Sequence, residues 1–284
     1  MKKARIIVLA GQSNAVGVGH VKCLPRHFSA EKIREYTEGY PDIRINYFSH
    51  DKKSGGFVTT AAGCTEKTKD TIGPEVGMAE YLTQNFPGEE FFIVKCAFGG
   101  MSLWRDFRSP SCGGSYDPTA FADQYEDMIL SVFSGKPVRA GWCYNELVKL
   151  LRESIAALEA KGYAPAVCAF CWMQGESDAE SADTAAQYIG LYDAMLQDLR
   201  AAFPGYADNC RFIDAGISQI WKCHDVINTA KKSYALSRSD CVYLDTIEAG
   251  LTTEFEPPEE PDTYHYDTDC VIRLGRLFAQ QFPF

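Results

Sequence analysis

The chain has 284 residues, 46% of them hydrophobic and 23% charged, which is globular composition with enough apolar material for a sizeable core. The formal net charge is −10 and the pI about 5.1, which argues against nucleic acid and against an anionic membrane surface, since both demand a basic face. The 11 cysteines are odd in number and several lie in apolar runs, so reduced thiols in a cytoplasmic protein are expected.

Met1-Lys2-Lys3 followed by an apolar run resembles a secretion signal, but the run is short and leads into a polar turn instead of a cleavage site. Residues 5–10 read as a buried strand ending in Gly11-Gln12-Ser13-Asn14. Ile43 to Phe48 alternates as a second strand, and residues 51–72 read as loop. Gly73-Pro74-Glu75 opens a helix, with proline and an acidic residue in its first turn. Glu90 to Ala97 is a strand running into Phe98-Gly99-Gly100-Met101-Ser102. Residues 101–141 are irregular and rich in Gly, Ser, Pro and aromatics, the pattern of a binding loop or lid.

Leu147, Leu150, Leu151, Ile155 and Leu158 recur at helical spacing within Cys143–Leu158. Ala164 to Met173 is a strand ending in Gln174-Gly175-Glu176-Ser177-Asp178, and Ala182 to Phe203 is a helix. A strand over Cys210–Ile217, a helix over Asp225–Leu236, a strand over Cys241–Leu244 and a last helix capped by Asp267 complete the series. Strands alternating with helices throughout predict one α/β domain over 1–284, with a parallel sheet covered on both faces. The lone Cys168-Ala169-Phe170-Cys171 lies in a strand whose alternation turns its two thiols to opposite faces, so neither a metal nor a redox site is expected, and no cofactor is implied.

The turns at Ser13, Gly99 and Gln174 all fall at the carboxyl ends of predicted strands, where a parallel sheet opens its crevice. Ser13 needs a base to act as nucleophile. Among five histidines, His265 is best placed, in a pre-helix loop with Asp262 three residues earlier. Each piece also has a plain reading: turn formers at Gly11–Asn14, and a polar pre-helix loop at Asp262–His265. The Ser13 N–H, the N–H of Gly99 or Gly100 and the Gln174 side-chain amide are candidate oxyanion donors. Trp104 and Arg105 follow the glycine turn directly. The aromatic face would stack on a sugar and the arginine fork hold a carboxylate, or Trp104 simply packs under a long loop.

Five stretches occur in order: Gly11-Gln12-Ser13-Asn14, Gly73-Pro74-Glu75, Phe98 to Leu103, Trp172 to Asp178, and Asp262-Thr263-Tyr264-His265. Together they resemble the sialate O-acetylesterase-like family, which is similar to carbohydrate esterase family six within the SGNH hydrolases. The resemblance spans residues 5–283. It implies a flavodoxin-like three-layer α/β/α fold and metal-free deacetylation of acetylated sugars, of acetylxylan or sialic-acid type. It maps the nucleophile onto Ser13, the base onto His265, and oxyanion donors onto Gly100 and Gln174. Two carboxylates are open as the orienting acid. Asp262 reaches the imidazole through a local turn, which favours it, and Glu176 would reach across the crevice. The rival expectations are a lipid or thioester hydrolase on the same fold and a non-catalytic flavin- or phosphate-binding module. The latter lacks both the third glycine of a dinucleotide fingerprint and a Walker pattern.

Overall fold

The computed structural model describes residues 2–50, 52–64, 70–112 and 140–284. Most of the irregular 101–141 region therefore lies outside the described residues. The first strand, β1 (Lys2–Gly11), is buried on both faces from Ile6 to Ala10, as its unbroken apolar run requires of a central parallel strand. The chain continues through β2 (Gly19–His20), β3 (Tyr40–Ser49), β4 (Lys52–Lys53), β5 (Val58–Thr60), β6 (Thr71–Ile72), β7 (Phe91–Ala97), β8 (Tyr163–Met173), β9 (Arg211–Ala215) and β10 (Cys241–Leu244). The main sheet runs β10-β9-β8-β1-β7-β3, all parallel, with the short β4 and β5 antiparallel to β3. β2 and β6 form a separate antiparallel pair.

The helices are α1 (Ser13–Val16), α2 (Ala30–Glu38), α3 (Pro74–Asn85), α4 (Trp142–Ala160), α5 (Ala182–Ala202), α6 (His224–Leu236) and α7 (Thr268–Ala279). α4 lies on β7 and β8, α3 lies on β3, and α7 packs along α3. The α3–α7 contact is close because each helix offers a glycine. A Cβ on Gly77 would stand 1.9 Å from the Ile272 carbonyl oxygen, and one on Gly275 1.9 Å from that of Pro74. No helix among the described residues is long and apolar enough to cross a membrane. All 11 cysteines are unpaired.

Two local expectations change. Residues 51–72 hold three short strands, β4, β5 and β6, where loop was expected. Asp267 stands at the N-cap of α7 but does not cap it. Its carboxylate accepts from the Phe255 N–H at 3.0 Å and from Thr252 Oγ1 at 2.5 Å, and Glu256 Oε2 takes the Thr268 N–H instead at 2.7 Å.

Candidate active site

β7, β1 and β8 are neighbours whose carboxyl ends lie level, with Gly11 in register with Ala97 on one side and Met173 on the other. The three expected turns therefore meet at one rim, where the chain leaves β1 to build the sheet in both directions. At the end of β1 the backbone needs Gly11. Its φ is +141°, and a Cβ there would stand 1.9 Å from the Met173 carbonyl oxygen. The next N–H, of Gln12, donates to that same oxygen at 3.0 Å.

Ser13 opens α1 and is half-buried. Beneath this turn lies a buried cation. Lys95 Nζ donates to the Val16 carbonyl at the end of α1 at 2.6 Å, to the Cys64 carbonyl at 3.2 Å and to Glu75 Oε2 at 2.7 Å, with neither charged side chain exposed. Burial pushes the Glu75 carboxyl up and Lys95 opposes that shift. The Gly73-Pro74-Glu75 stretch, read from sequence as a helix start, thus also supplies the counter-ion under the serine turn.

His265 lies in the loop before α7. Its Nδ1 is 2.5 Å from Asp262 Oδ2, while Asp262 Oδ1 accepts the Tyr264 N–H at 3.0 Å. Partial burial pushes the Asp262 carboxyl up, but the bonds and charge of His265 outweigh it and hold the carboxyl below its ordinary value. With Nδ1 on the carboxylate, Nε2 is the ring nitrogen left for other work.

No hydrogen bond joins Ser13 Oγ to His265 among the described residues; Asn14 joins their loops. Its Oδ1 accepts the Tyr266 N–H at 3.0 Å and its Nδ2 donates to Glu176 Oε1 at 2.9 Å. The residues next to Ser13 and next to His265 are therefore bonded to each other. Glu176 stands behind Asn14, fully buried, with Oε2 unpartnered and its carboxyl pushed up by burial against the Asn14 bond. The ring nitrogen that Glu176 was expected to contend for is held by Asp262.

On the other side of Ser13, Gly100 is exposed at the turn after β7, with φ +70°. The chain beyond it is pinned by Asp178, whose carboxylate accepts the N–H groups of Leu103 and Trp104, both at 2.8 Å. Gln174, expected as an oxyanion donor, does not present an open amide. One Nε2 proton goes to Asp178 Oδ2 at 2.6 Å, and the other has Gln12 Oε1 at 3.2 Å and the Met101 carbonyl at 3.3 Å. Asp178 is an ionisable acceptor four residues on, and it turns the amide inward. The Gln174 carbonyl in turn takes Lys231 Nζ at 2.6 Å and the Tyr188 hydroxyl at 2.9 Å.

Arg105, expected as an anion clamp, is bonded within its own loop. Its Nε and Nη2 reach the two oxygens of Asp106 at 2.8 and 3.0 Å, so the fork is engaged by the neighbouring carboxylate. Trp104 is half-buried and packs against the core, with the Arg108 guanidinium 5.9 Å from its ring centre.

Gln12, Asn14 and Asp178 belong to this architecture although the sequence reading gave them no role. All three sit inside motifs that it quoted, which was the available signal. Gln12 Oε1 accepts from both Ser177 N–H and Gln174 Nε2, tying the ends of β1 and β8.

Asp178 carries a pH consequence. Burial raises its pKa from 3.8 to about 6, so the folded state holds a proton that the unfolded state releases in that window. A raised carboxylate pKa means stability is lost as pH rises through the window. The stability advantage of wild type over Asp178→Asn should therefore fall by about 2 kcal/mol between pH 4 and pH 7. Urea unfolding of both proteins at each pH checks this; a constant difference would remove Asp178 as the titrating group.

The arrangement is an α/β fold on a mainly parallel sheet, with a serine turn, a histidine–carboxylate pair and a glycine turn on one rim. The sequence matches the family described as carbohydrate esterase, sialic acid-specific acetylesterase, over residues 3–283, and the chain belongs to that family. It is a carboxylic ester hydrolase of carbohydrate acetylesterase type. Among solved structures, a protein from Arabidopsis thaliana superposes with a TM-score of 0.65 at 20% identity, over 99% of this chain and 97% of that one. NanS gives 0.64 at 15% identity, over 98% and 96%. A carbohydrate acetylesterase from Xanthomonas citri gives 0.58 at 15% identity, over 97% of this chain and 55% of the other. A search of curated proteins finds no match.

Proposed function

We propose that the protein removes acetyl groups from acetylated sugars through an acyl-enzyme on Ser13. The observation that carries this reading is the Asp262–His265 pair, fastened beside the Ser13 turn by the Asn14–Tyr266 bond. Asp262 holds Nδ1–H of the imidazole, so Nε2 is the base that takes the Ser13 proton. Oγ attacks the acetyl carbonyl, and His265 returns the proton to the departing sugar oxygen. Water then attacks the acetyl-serine by the same route and releases acetate.

The oxyanion is held by the N–H groups of Ser13 and Gly100. The second amide proton of Gln174, now shared at 3.2 and 3.3 Å, turns to the oxyanion as its third donor, while the shorter Asp178 bond keeps the amide oriented. Glu176 acts through Asn14 as an auxiliary carboxylate. Trp104 borders the acyl side as part of the substrate loop.

Acid-quenching the enzyme with an activated acetyl ester should leave an acetyl group on the Ser13 peptide, read by mass spectrometry. Acetyl esters should be cleaved roughly tenfold or more faster than octanoyl esters, since pocket fit discriminates on this scale. An unlabelled Ser13, or a preference for octanoyl, would overturn the acetylesterase mechanism.

A further inference from the structure

Gln174 is proposed above as the third oxyanion donor, and an amide can serve there only if the backbone that carries it is fixed. The residue stands just past the last paired positions of β8, Trp172 opposite Asp214 and Met173 opposite Gly11. Its buried carbonyl has side chains for partners instead of a strand, and such a group must find a donor somewhere. Lys231 Nζ donates to it at 2.6 Å and the Tyr188 hydroxyl at 2.9 Å. Tyr188 is itself held by Trp172 Nε1 at 3.0 Å.

Lys231 comes from α6 and is 1% exposed. Its other bonds run to the Ala215 carbonyl at the end of β9 and to Asp214 Oδ1, both at 2.7 Å. An ammonium has three protons, and here two of them go to main-chain carbonyls at the carboxyl ends of neighbouring strands. Gly175 lets α6 come this close. Its φ is +138°, and a Cβ there would stand 3.1 Å from Ile227 Cγ2 and 3.6 Å from Lys231 Cε.

A buried ammonium–carboxylate pair carries a desolvation penalty that an apolar pair of similar volume does not, so stability alone explains it poorly. What the charge adds here is direction. Its bonds fix the ends of β8 and β9 against each other at the level of Gln174. The same construction stands on the other side of β1, where Lys95 joins Glu75 to the Val16 carbonyl at the end of the Ser13 helix. Each buried lysine is thus tied to the main chain of one turn that is proposed to hold the oxyanion.

We infer that Lys231 is a positioning residue for the reaction. By holding the Gln174 carbonyl, with Asp214 as its counter-ion, it sets where the Gln174 amide stands when charge develops on the substrate oxygen. This rests on the esterase reading, with Gln174 as a donor, and extends it to a buried side chain behind the rim.

The test is a double-mutant cycle on an activated acetyl ester. Gln174→Ala should lower kcat about 10²- to 10³-fold, as loss of an oxyanion donor does. Lys231→Met combined with Asp214→Asn removes both buried charges together, so that neither ion is left unpaired. That variant should remain folded by circular dichroism and lose about tenfold in kcat, a part of what the donor supplies, with KM changed less than about twofold. In the Gln174→Ala background the same two changes should cost less than about twofold more, since Lys231 then has no amide to position. An equal loss in both backgrounds, a loss in KM instead of kcat, an unchanged kcat or a variant that does not fold would each overturn the inference while leaving the esterase reading standing. Wild type that leaves the ester intact would bring down the esterase reading, and wild-type kcat in Gln174→Ala would remove that residue as a donor; the inference falls with either.

Discussion

Ser13→Ala is expected to lower turnover of an activated acetyl ester by about 10⁴- to 10⁶-fold, the range seen when a serine nucleophile is removed. The fold should be untouched. Ser13 opens a short helix in which alanine is the better helix former, and no described residue donates to or accepts from its hydroxyl. The residual rate would come from the oxyanion donors and substrate binding alone. Steady-state kinetics beside a thermal melt decide the matter. A variant that melts like wild type and retains its turnover would end the assignment of Ser13 as nucleophile.

The second large effect separates the two carboxylates. Asp262→Asn should cost about 10⁴-fold in kcat, because an amide opposite Nδ1 stabilises the wrong imidazole tautomer and cannot support the imidazolium. Glu176→Gln should cost only about ten- to a hundredfold, as loss of a supporting group does. The geometry behind this is that Asp262 Oδ2 lies 2.5 Å from Nδ1, whereas Glu176 touches Asn14. Both variants would be compared at one pH after circular dichroism has established that each is folded. A larger loss from Glu176→Gln would reverse the roles.

Much of this was legible in sequence for a physical reason. Long apolar runs such as Ile6–Ala10 and periodic stretches such as Leu147–Leu158 advertise burial directly, and both elements stand where they were expected. The segment from Val21 to Glu38 carries no long apolar run in its sequence. Its 3₁₀ turn and α2 bury few side chains, although Ser29, which accepts the Lys32 N–H, offered a capping signal.

Within the site, sequence spacing suggested the local Asp262–His265 pair because a turn builds it. It gave no hint that Asn14 bonds to both Glu176 and Tyr266, since those partners are 162 and 252 positions away. Gln174 and Arg105 show the converse limit. Their residue types suited an oxyanion donor and an anion clamp, but sequence alone did not show that Asp178 takes one Gln174 amide proton and that Asp106 engages the Arg105 fork.

The Asn14–Tyr266 bond also sets an order of events in the life of the chain. Its partners are 252 residues apart, so at about 5–20 residues per second the serine precedes the histidine loop from the ribosome by roughly 13 to 50 seconds. The sheet can gather β1, β3, β7, β8, β9 and β10 in that interval, while Ser13 still lacks the proposed base, His265. With Ser13 and His265 in the roles proposed above, hydrolytic competence would arrive only when α7 docks on α3 and carries His265 to the rim. In a refolding experiment, returning activity would therefore time the docking of that last helix, and a spectroscopic signal from the sheet would run ahead of it.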